Sequence, residues 1–233
     1  MKKLNFIIQA KGGVGKSLLT YLFGLTEANN AETFFVDVDS STKTSTKQLS
    51  FLTNARVENL SLLNSQEHLM RDRLIGYLES IAATPFNEYF FDFGAPESEQ
   101  LPALIFRDLP FREFLDELQF EAQFHIVISG GGSYTASTEY LSKMHKILKS
   151  EFEITAWKNI YGFEGWSSLG DELEKNCKSI DVQIRCFGDF ESNSNLGAQI
   201  LDQIRKGKPL SEYPIGAKLK MKQEIRQNFN FQT

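Results

Sequence analysis

Short apolar runs alternate along the chain with longer segments that mix polar and apolar residues. The runs "LNFIIQ" (4–9), "TFFVDVD" (33–39), "EYFFDFG" (88–94), "FHIVISG" (124–130), "FEITAW" (152–157) and "DVQIRCF" (181–187) predict strands. Continuous apolar runs of this length suit strands buried on both faces, the habit of a parallel sheet. The segments between them predict helices over 17–29, about 65–83, about 97–119, 134–150, 164–178, 191–206 and about 216–228. Strand and helix in alternation predict an α/β fold: a mostly parallel sheet with helices on both faces and right-handed crossovers. No internal repeat or linker interrupts the pattern, so residues 1–233 read as a single domain. The one compositionally odd stretch is "SSTKTSTKQLS" (40–50).

Composition leaves this picture unchanged and narrows it. The chain has 233 residues, 41% hydrophobic and 24% charged, an ordinary globular balance long enough to bury a sizeable core. No apolar run approaches the roughly 20 residues of a membrane span. Met1-Lys2-Lys3 leads into a strand-like run without a small-residue cleavage site, so no signal peptide and a cytoplasmic location are expected. Cys177 and Cys186 have no metal-type spacing and are expected as buried free thiols; His68, His125 and His145 are scattered and not expected to ligate or catalyse. A net charge of -5 argues against a globally basic nucleic-acid coat and leaves room for local basic patches.

The candidate chemistry sits between the first strand and the first helix, in "IIQAKGGVGKSLLTYLFG" (7–24). Glycines there let successive N–H groups turn inward as an anion nest, and the first turn of the helix adds unpaired N–H groups and its positive dipole end. Lys16 would bring a point charge to the terminal phosphates, and Ser17 a hydroxyl for Mg²⁺. The strict G-x-x-x-x-G-K-[ST] pattern has Ala10 in place of its first glycine. Strand before, helix after and an intact Gly-Lys-Ser favour a phosphate loop over a plain helix cap.

"KGGVGKS" resembles the deviant Walker A box, K-G-G-x-G-K-[ST], of the ParA/MinD family of P-loop ATPases. The resemblance implies that Gly12, Gly13, Val14, Gly15, Lys16, Ser17 and Leu18 cradle ATP or ADP. It also implies that Lys11 reaches across an ATP-bound homodimer to the partner's nucleotide, the service of an arginine finger. "DVD" at 37–39 resembles the family's D-x-D-P-Q segment, with Ser40-Ser41 replacing Pro-Gln. Asp39 would then position the attacking water and belong, with Ser17 and Asp92, to the metal side of the site; a helix N-cap is the alternative for Asp39. "YFFDFGAP" resembles the Walker B strand, so Asp92 would hold Mg²⁺ through a water and Gly94 would leave room for the γ-phosphate. The letters "DFG" are unaccompanied by the other kinase signatures. Asn159 in "TAWKNIYGF" would read the adenine edge, or else form a turn. No N-K-x-D box is present, which favours ATP over GTP. Leu18 replaces a second Thr common in relatives. "SGGGSYTAST" (129–138) is a second glycine-rich turn near the site, and the Phe-rich region from about 86 to 124 has no clear counterpart.

The tail "RKGKPLSEYPIGAKLKMKQEIRQ" resembles the family's closing segment, a G-x-P-v stretch and a loop before a final helix. Seven cations (Arg205, Lys206, Lys208, Lys218, Lys220, Lys222, Arg226) stand there against Asp202, Glu212 and Glu224. Lys218, Lys220, Lys222 and Arg226 could contact DNA phosphates non-specifically, or form a solvated helix face. Leu219, Met221, Ile225, Phe229 and Phe231 do not make a broad stripe, so membrane targeting is not expected. The resemblance implies an ATP-dependent dimerising switch in plasmid or chromosome partition or a related mobile-element process. Such a switch is slow until a small adaptor or DNA-binding partner stimulates it, and it can associate with the nucleoid. Two alternatives are a localising nucleotide-binding module with little turnover and a P-loop metabolic enzyme.

Overall fold

The computed structural model describes residues 1–40, 42–148, 151–191 and 193–229, with Asn54 described by its backbone alone. Strands β1 (Lys2–Ile8), β2 (Thr33–Val38), β3 (Val57–Asn59), β4 (Glu88–Phe93), β5 (Phe120–Ile128), β6 (Glu153–Asn159) and β7 (Gln183–Phe187) form one sheet in the order β3-β2-β4-β1-β5-β6-β7. Every pairing is parallel. The helices are α1 (Lys16–Thr26), α2 (Thr44–Gln48), α3 (Asp72–Ile81), α4 (Ala95–Ala103), α5 (Phe111–Glu117), α6 (Tyr134–Leu148), α7 (Ser167–Ser179), α8 (Asn195–Arg205) and α9 (Ile215–Asn228).

Side chains alternate across the sheet with a period of two. Leu4, Phe6 and Ile8 of β1 face a core built with α3 to α7, while Ile7 faces a second core built with α1, α8 and α9. Both faces are therefore covered, which is why the strands read as unbroken apolar runs. The Phe-rich region supplies the first core. In-register pairing sets Phe6 between Phe91 and Phe124 on the flanking strands, stacked at 5.1 Å on either side, with Phe111 at its edge.

Three expectations need correction. The helix predicted over about 97–119 is broken. Pro102 removes a ladder N–H, a wide π-type turn follows over Leu104–Asp108, and Leu109 is extended ahead of Pro110 before α5 restarts. The helix predicted from about 65 starts only at Asp72, because the Asn64 side chain accepts from Gln66 and His68 N–H and closes a turn first. Cys186 is half-buried rather than buried; Cys177 is buried, and both are free thiols. The last two residues of the helix predicted to 150, together with Ser41 and Phe231, lie outside the described residues.

Candidate functional site

The loop begins where β1 ends. Gln9 is fully buried and fixes the root: its Nε2 donates to the carbonyls of Val127 (2.9 Å) and Ser137 (3.1 Å), and its Oε1 accepts the Lys11 N–H (3.2 Å). Ser137 lies in the first turn of α6, at the end of the second glycine-rich segment, so the start of that helix holds the root of the loop. Gly13 and Gly15 take φ of 76° and 109°, left-handed backbone that a side chain would strain. A Cβ on Gly15 would also come within 2.6 Å of Asn159 Nδ2. The Asn159 amide donates to the Val14 carbonyl at 2.7 Å, so the end of β6 braces the loop from below. Lys16 is 9% exposed and folds back to donate to the Gln9 carbonyl at 3.0 Å. Burial lowers its pKa, while the charges of Asp92, Asp39 and Glu97 hold it up.

Strand register brings the carboxylates to this loop. Asp92 pairs with Ile7 on one side and with Asp37 on the other, and alternation turns it to the α1 face, opposite Phe91 and Phe93. Asp92 Oδ2 accepts from Ser17 Oγ at 2.8 Å and from Ser45 Oγ, while its Oδ1 is buried without a hydrogen-bond partner. Burial pushes this carboxyl up to about 6, against the pull of Ser45, Lys16 and Ser17. Asp37 Oδ2 accepts the N–H and hydroxyl of Thr46, each at 2.8 Å, which fastens α2 to the sheet; burial raises its pKa as well. Asp39 Oδ1 accepts the Thr42 N–H at 3.0 Å. The N-cap residue of α2 is Lys43, so Asp39 is not that helix's cap.

Gly12, Gly15, Lys16, Ser17, Asp39 and Asp92 line one cavity of about 450 Å³, walled also by Leu18, Gln48 and the Phe93–Pro96 turn. Glycine-loop amides, a lysine, a serine hydroxyl and two carboxylates facing one space suit a polyphosphate with a hard cation. Among the described residues, no group of three or more His, Cys, Asp and Glu side chains is placed to hold a metal ion unaided. Mg²⁺ needs no such cage where substrate phosphates and waters complete its octahedron, and the orphaned Asp92 Oδ1 beside Ser17 fits that role.

Of the residues read from sequence, Gly12, Gly13, Gly15, Lys16, Ser17, Leu18, Asp39 and Asp92 converge here, while the Val14 side chain is buried in the second core. Asn159, expected to read an adenine edge or to form a turn, has its amide on the loop backbone instead and is 3% exposed. Lys11 is exposed and lines a separate groove with Glu99, Glu139 and Lys143. The α9 cations do not form one free patch: Lys220 pairs with Asp189 at 2.9 Å and Lys218 is half-buried, leaving Lys222 and Arg226 exposed. Met221 and Phe229, counted with the tail's apolar residues, belong to the core, where Phe229 stacks on Trp157. One residue escaped the sequence reading. Glu97, in the first turn of α4, is buried against Gly94 with its Oε1 accepting the Ser40 N–H at 3.2 Å. The only sequence signal was a lone acid near a helix start. Among the described residues no helix is long and apolar enough to cross a membrane.

No protein-family model and no curated protein sequence matches the chain. Solved structures do match. The MinD cell division protein of Aquifex aeolicus superposes with a TM-score of 0.58 at 12% identity, over 97% of this chain and 95% of that one. The MinC:MinD cell division protein complex of the same organism gives 0.56 at 11% identity, over 97% and 96%. A plasmid partition protein from Borrelia burgdorferi gives 0.50 at 14% identity, over 88% and 96%. At such identities the likeness is one of architecture, and the chain has the ParA/MinD-type P-loop fold.

Proposed function

We propose that this chain is a ParA/MinD-family switch ATPase acting as a single domain, binding ATP with Mg²⁺ at the Gly12–Leu18 loop. The observation that carries the reading is the Ser17 hydroxyl set 2.8 Å from Asp92 Oδ2, with Lys16 buried beside them in one cavity. In this reading the loop amides and the α1 N-terminus bind the phosphates. Lys16 leaves the Gln9 carbonyl for the terminal phosphates, Ser17 and Asp92 hold the cation side, and Asp39 orients the attacking water. Bound Mg²⁺ supplies charge neutralisation on the β- and γ-phosphate oxygens. Exposed Lys11 fits a role outside its own cavity, completing the pocket of a second copy and stabilising charge on the transferred phosphoryl group. ATP closes the dimer, hydrolysis reopens it, and an adaptor protein stimulates the slow intrinsic step.

The output proposed is plasmid or chromosome partition or a related mobile-element process, in the cytoplasm and on the nucleoid. Likeness to a plasmid partition protein supports it, as do exposed Lys222 and Arg226. A localising module on a protein partner is the second reading. It is favoured by Ile215 and Leu219, 79% and 61% exposed, at helical spacing from Lys222 and Arg226. Sedimentation with ATP, ADP or no nucleotide, with and without DNA, tests both. Partition predicts an ATP-dependent dimer retained on DNA, the localising module a nucleotide-bound protein with no DNA retention. Absence of ATP binding overturns both.

A further inference from the structure

Glu97 is the carboxylate to which that mechanism gives no task. Its side chain is 3% exposed in the first turn of α4, and its two oxygens have different surroundings. Oε1 accepts the N–H of Ser40, the residue after Asp39, at 3.2 Å. Oε2 is buried without a hydrogen-bond partner and lies so close to Gly94 that a Cβ there would collide with it. That same Cβ would sit 3.4 Å from Asp39 Cα. The turns after β2 and β4 therefore meet at Gly94, with Glu97 packed behind the junction. The next residue ties the junction to the root of the phosphate loop: Ser98 Oγ accepts the Gln9 N–H at 3.2 Å, and Ser98 N–H donates to the Gly94 carbonyl at 2.9 Å.

A buried carboxylate is costly unless something uses it. The Lys16 ammonium accounts for part of its charge, but not for the bond to Ser40. The end of β2 is already held by Asn59, whose amide donates to the Asp37 (2.8 Å) and Asp39 (3.1 Å) carbonyls, so fastening the strand does not require that bond. What Glu97 adds is control over the one main-chain unit that follows Asp39. The D-x-D-P-Q pattern resembled here has proline at that position, which carries no N–H, so the bond depends on this chain's Ser40.

We infer that Glu97 is a positioning residue: by latching the Ser40 main chain to α4 it fixes where Asp39 stands relative to Lys16 and Asp92. It acts through Ser40 and does not touch reacting atoms. Any movement of α4 is thereby passed to Asp39. The inference rests on reading the cavity as an ATP-hydrolysing site.

The test compares Glu97→Gln, which keeps a carbonyl oxygen of the right reach, with Glu97→Ala, which has none, and with Ser40→Pro, which removes the donor and leaves Glu97 intact. Each full-length protein is assayed for ATP affinity, single-turnover hydrolysis and hydrogen exchange over residues 39–48. Glu97→Ala and Ser40→Pro are expected to slow hydrolysis by about tenfold or more, with ATP affinity changed by less than about threefold. Exchange over 39–48 should quicken while α1 keeps wild-type protection, and Glu97→Gln should restore most of both. Unchanged exchange in Glu97→Ala, or Glu97→Gln failing as badly as Glu97→Ala, overturns the latch. A wild type that binds no ATP sinks the ATPase reading instead, and the exchange comparison still decides whether Glu97 holds the loop.

Discussion

Asn159 and Val14 lie 145 residues apart in sequence and 2.7 Å apart in the fold, the amide of one donating to the carbonyl of the other. Gly15 makes the approach possible, since any Cβ there would reach Asn159 Nδ2. The Gly12–Leu18 loop is thus shaped by β6 as well as by its own glycines. Preorganised amides bind an anion better than amides that must first be gathered.

That contact predicts the behaviour of Asn159 variants. Asn159→Ala leaves the Val14 carbonyl without its donor, and a lost buried partner costs about 1–3 kcal/mol. Unfolding in urea should show that loss, and calorimetry should show weaker binding of a non-hydrolysable ATP analogue. Asn159→Asp should be at least as damaging, because it sets a carboxylate against a carbonyl oxygen. Were Asn159→Ala to bind the analogue at wild-type strength, the brace would have no part in shaping the loop.

The two lysines of the loop should separate cleanly. Lys16 is buried on the Gln9 carbonyl within the cavity, whereas Lys11 is exposed outside it. Lys16→Ala is expected to abolish nucleotide binding. Lys11→Ala should bind ATP with little change yet fail to dimerise and lose stimulated hydrolysis by a factor on the order of 10³, the scale of a missing catalytic cation. Analytical ultracentrifugation with ATP checks the first half and phosphate release the second. A Lys11→Ala protein that dimerises and turns over normally would remove the trans lysine from the mechanism.

How much of this was legible in the sequence depended on whether a residue's role was local. The loop's place between β1 and α1 could be read because glycine, lysine and serine fall within one turn, and Asp92's place at a strand end because it ends an apolar run. Strand β3 is three residues, "VEN", placed at the sheet edge by pairing with β2, and no periodicity can develop over that length. Helix α2 has the sequence TSTKQ, poor in helix formers, and is fastened by Asp37 rather than by propensity. Glu97 and the bracing role of Asn159 were hidden for the same reason: their partners, Ser40 and Val14, are distant in sequence.

The basic tail gives a graded prediction. Lys220 is held by Asp189, so Lys220→Gln removes an intramolecular ion pair and should leave DNA retention nearly unchanged. Exposed Lys222 and Arg226 are the residues free to meet phosphates, and Lys222→Gln with Arg226→Gln should weaken retention at every DNA sequence. Each lost phosphate contact should also reduce the salt dependence, by roughly 1 in the slope of log K against log salt. Fluorescence anisotropy with unrelated duplexes at several salt concentrations measures both. Equal effects from all three substitutions would mean that the exposed face is not the contact surface.

Acid stability should be governed in part by His125, which lies on β5 in register with Ile7 of β1. Its Nδ1 accepts from Trp157 Nε1 at 3.0 Å and its Nε2 lies 3.1 Å from Asn5 Oδ1, an arrangement that suits the neutral ring. Asn5 passes the chain on to Glu88 at 3.0 Å, and Phe23 of α1 covers the ring. Burial first, and the Arg185 charge second, lower the imidazole pKa from 6.5 to about 3. The unfolded chain therefore takes up a proton near pH 6.5 that the folded chain refuses until about pH 3. This contribution to stability is complete above pH 6.5 and is lost as pH falls through that window, by about 1.4 kcal/mol per pH unit. Glu88, whose pKa burial raises, contributes with the opposite sign, so the wild-type curve alone does not isolate the histidine. His125→Asn keeps a side-chain acceptor for Trp157 and has no titrating ring. It should be less stable than wild type at pH 7, and its stability should fall less steeply between pH 6 and pH 4. Urea unfolding at these pH values gives the answer, and parallel curves for the two proteins would show that the buried ring does not couple folding to protons.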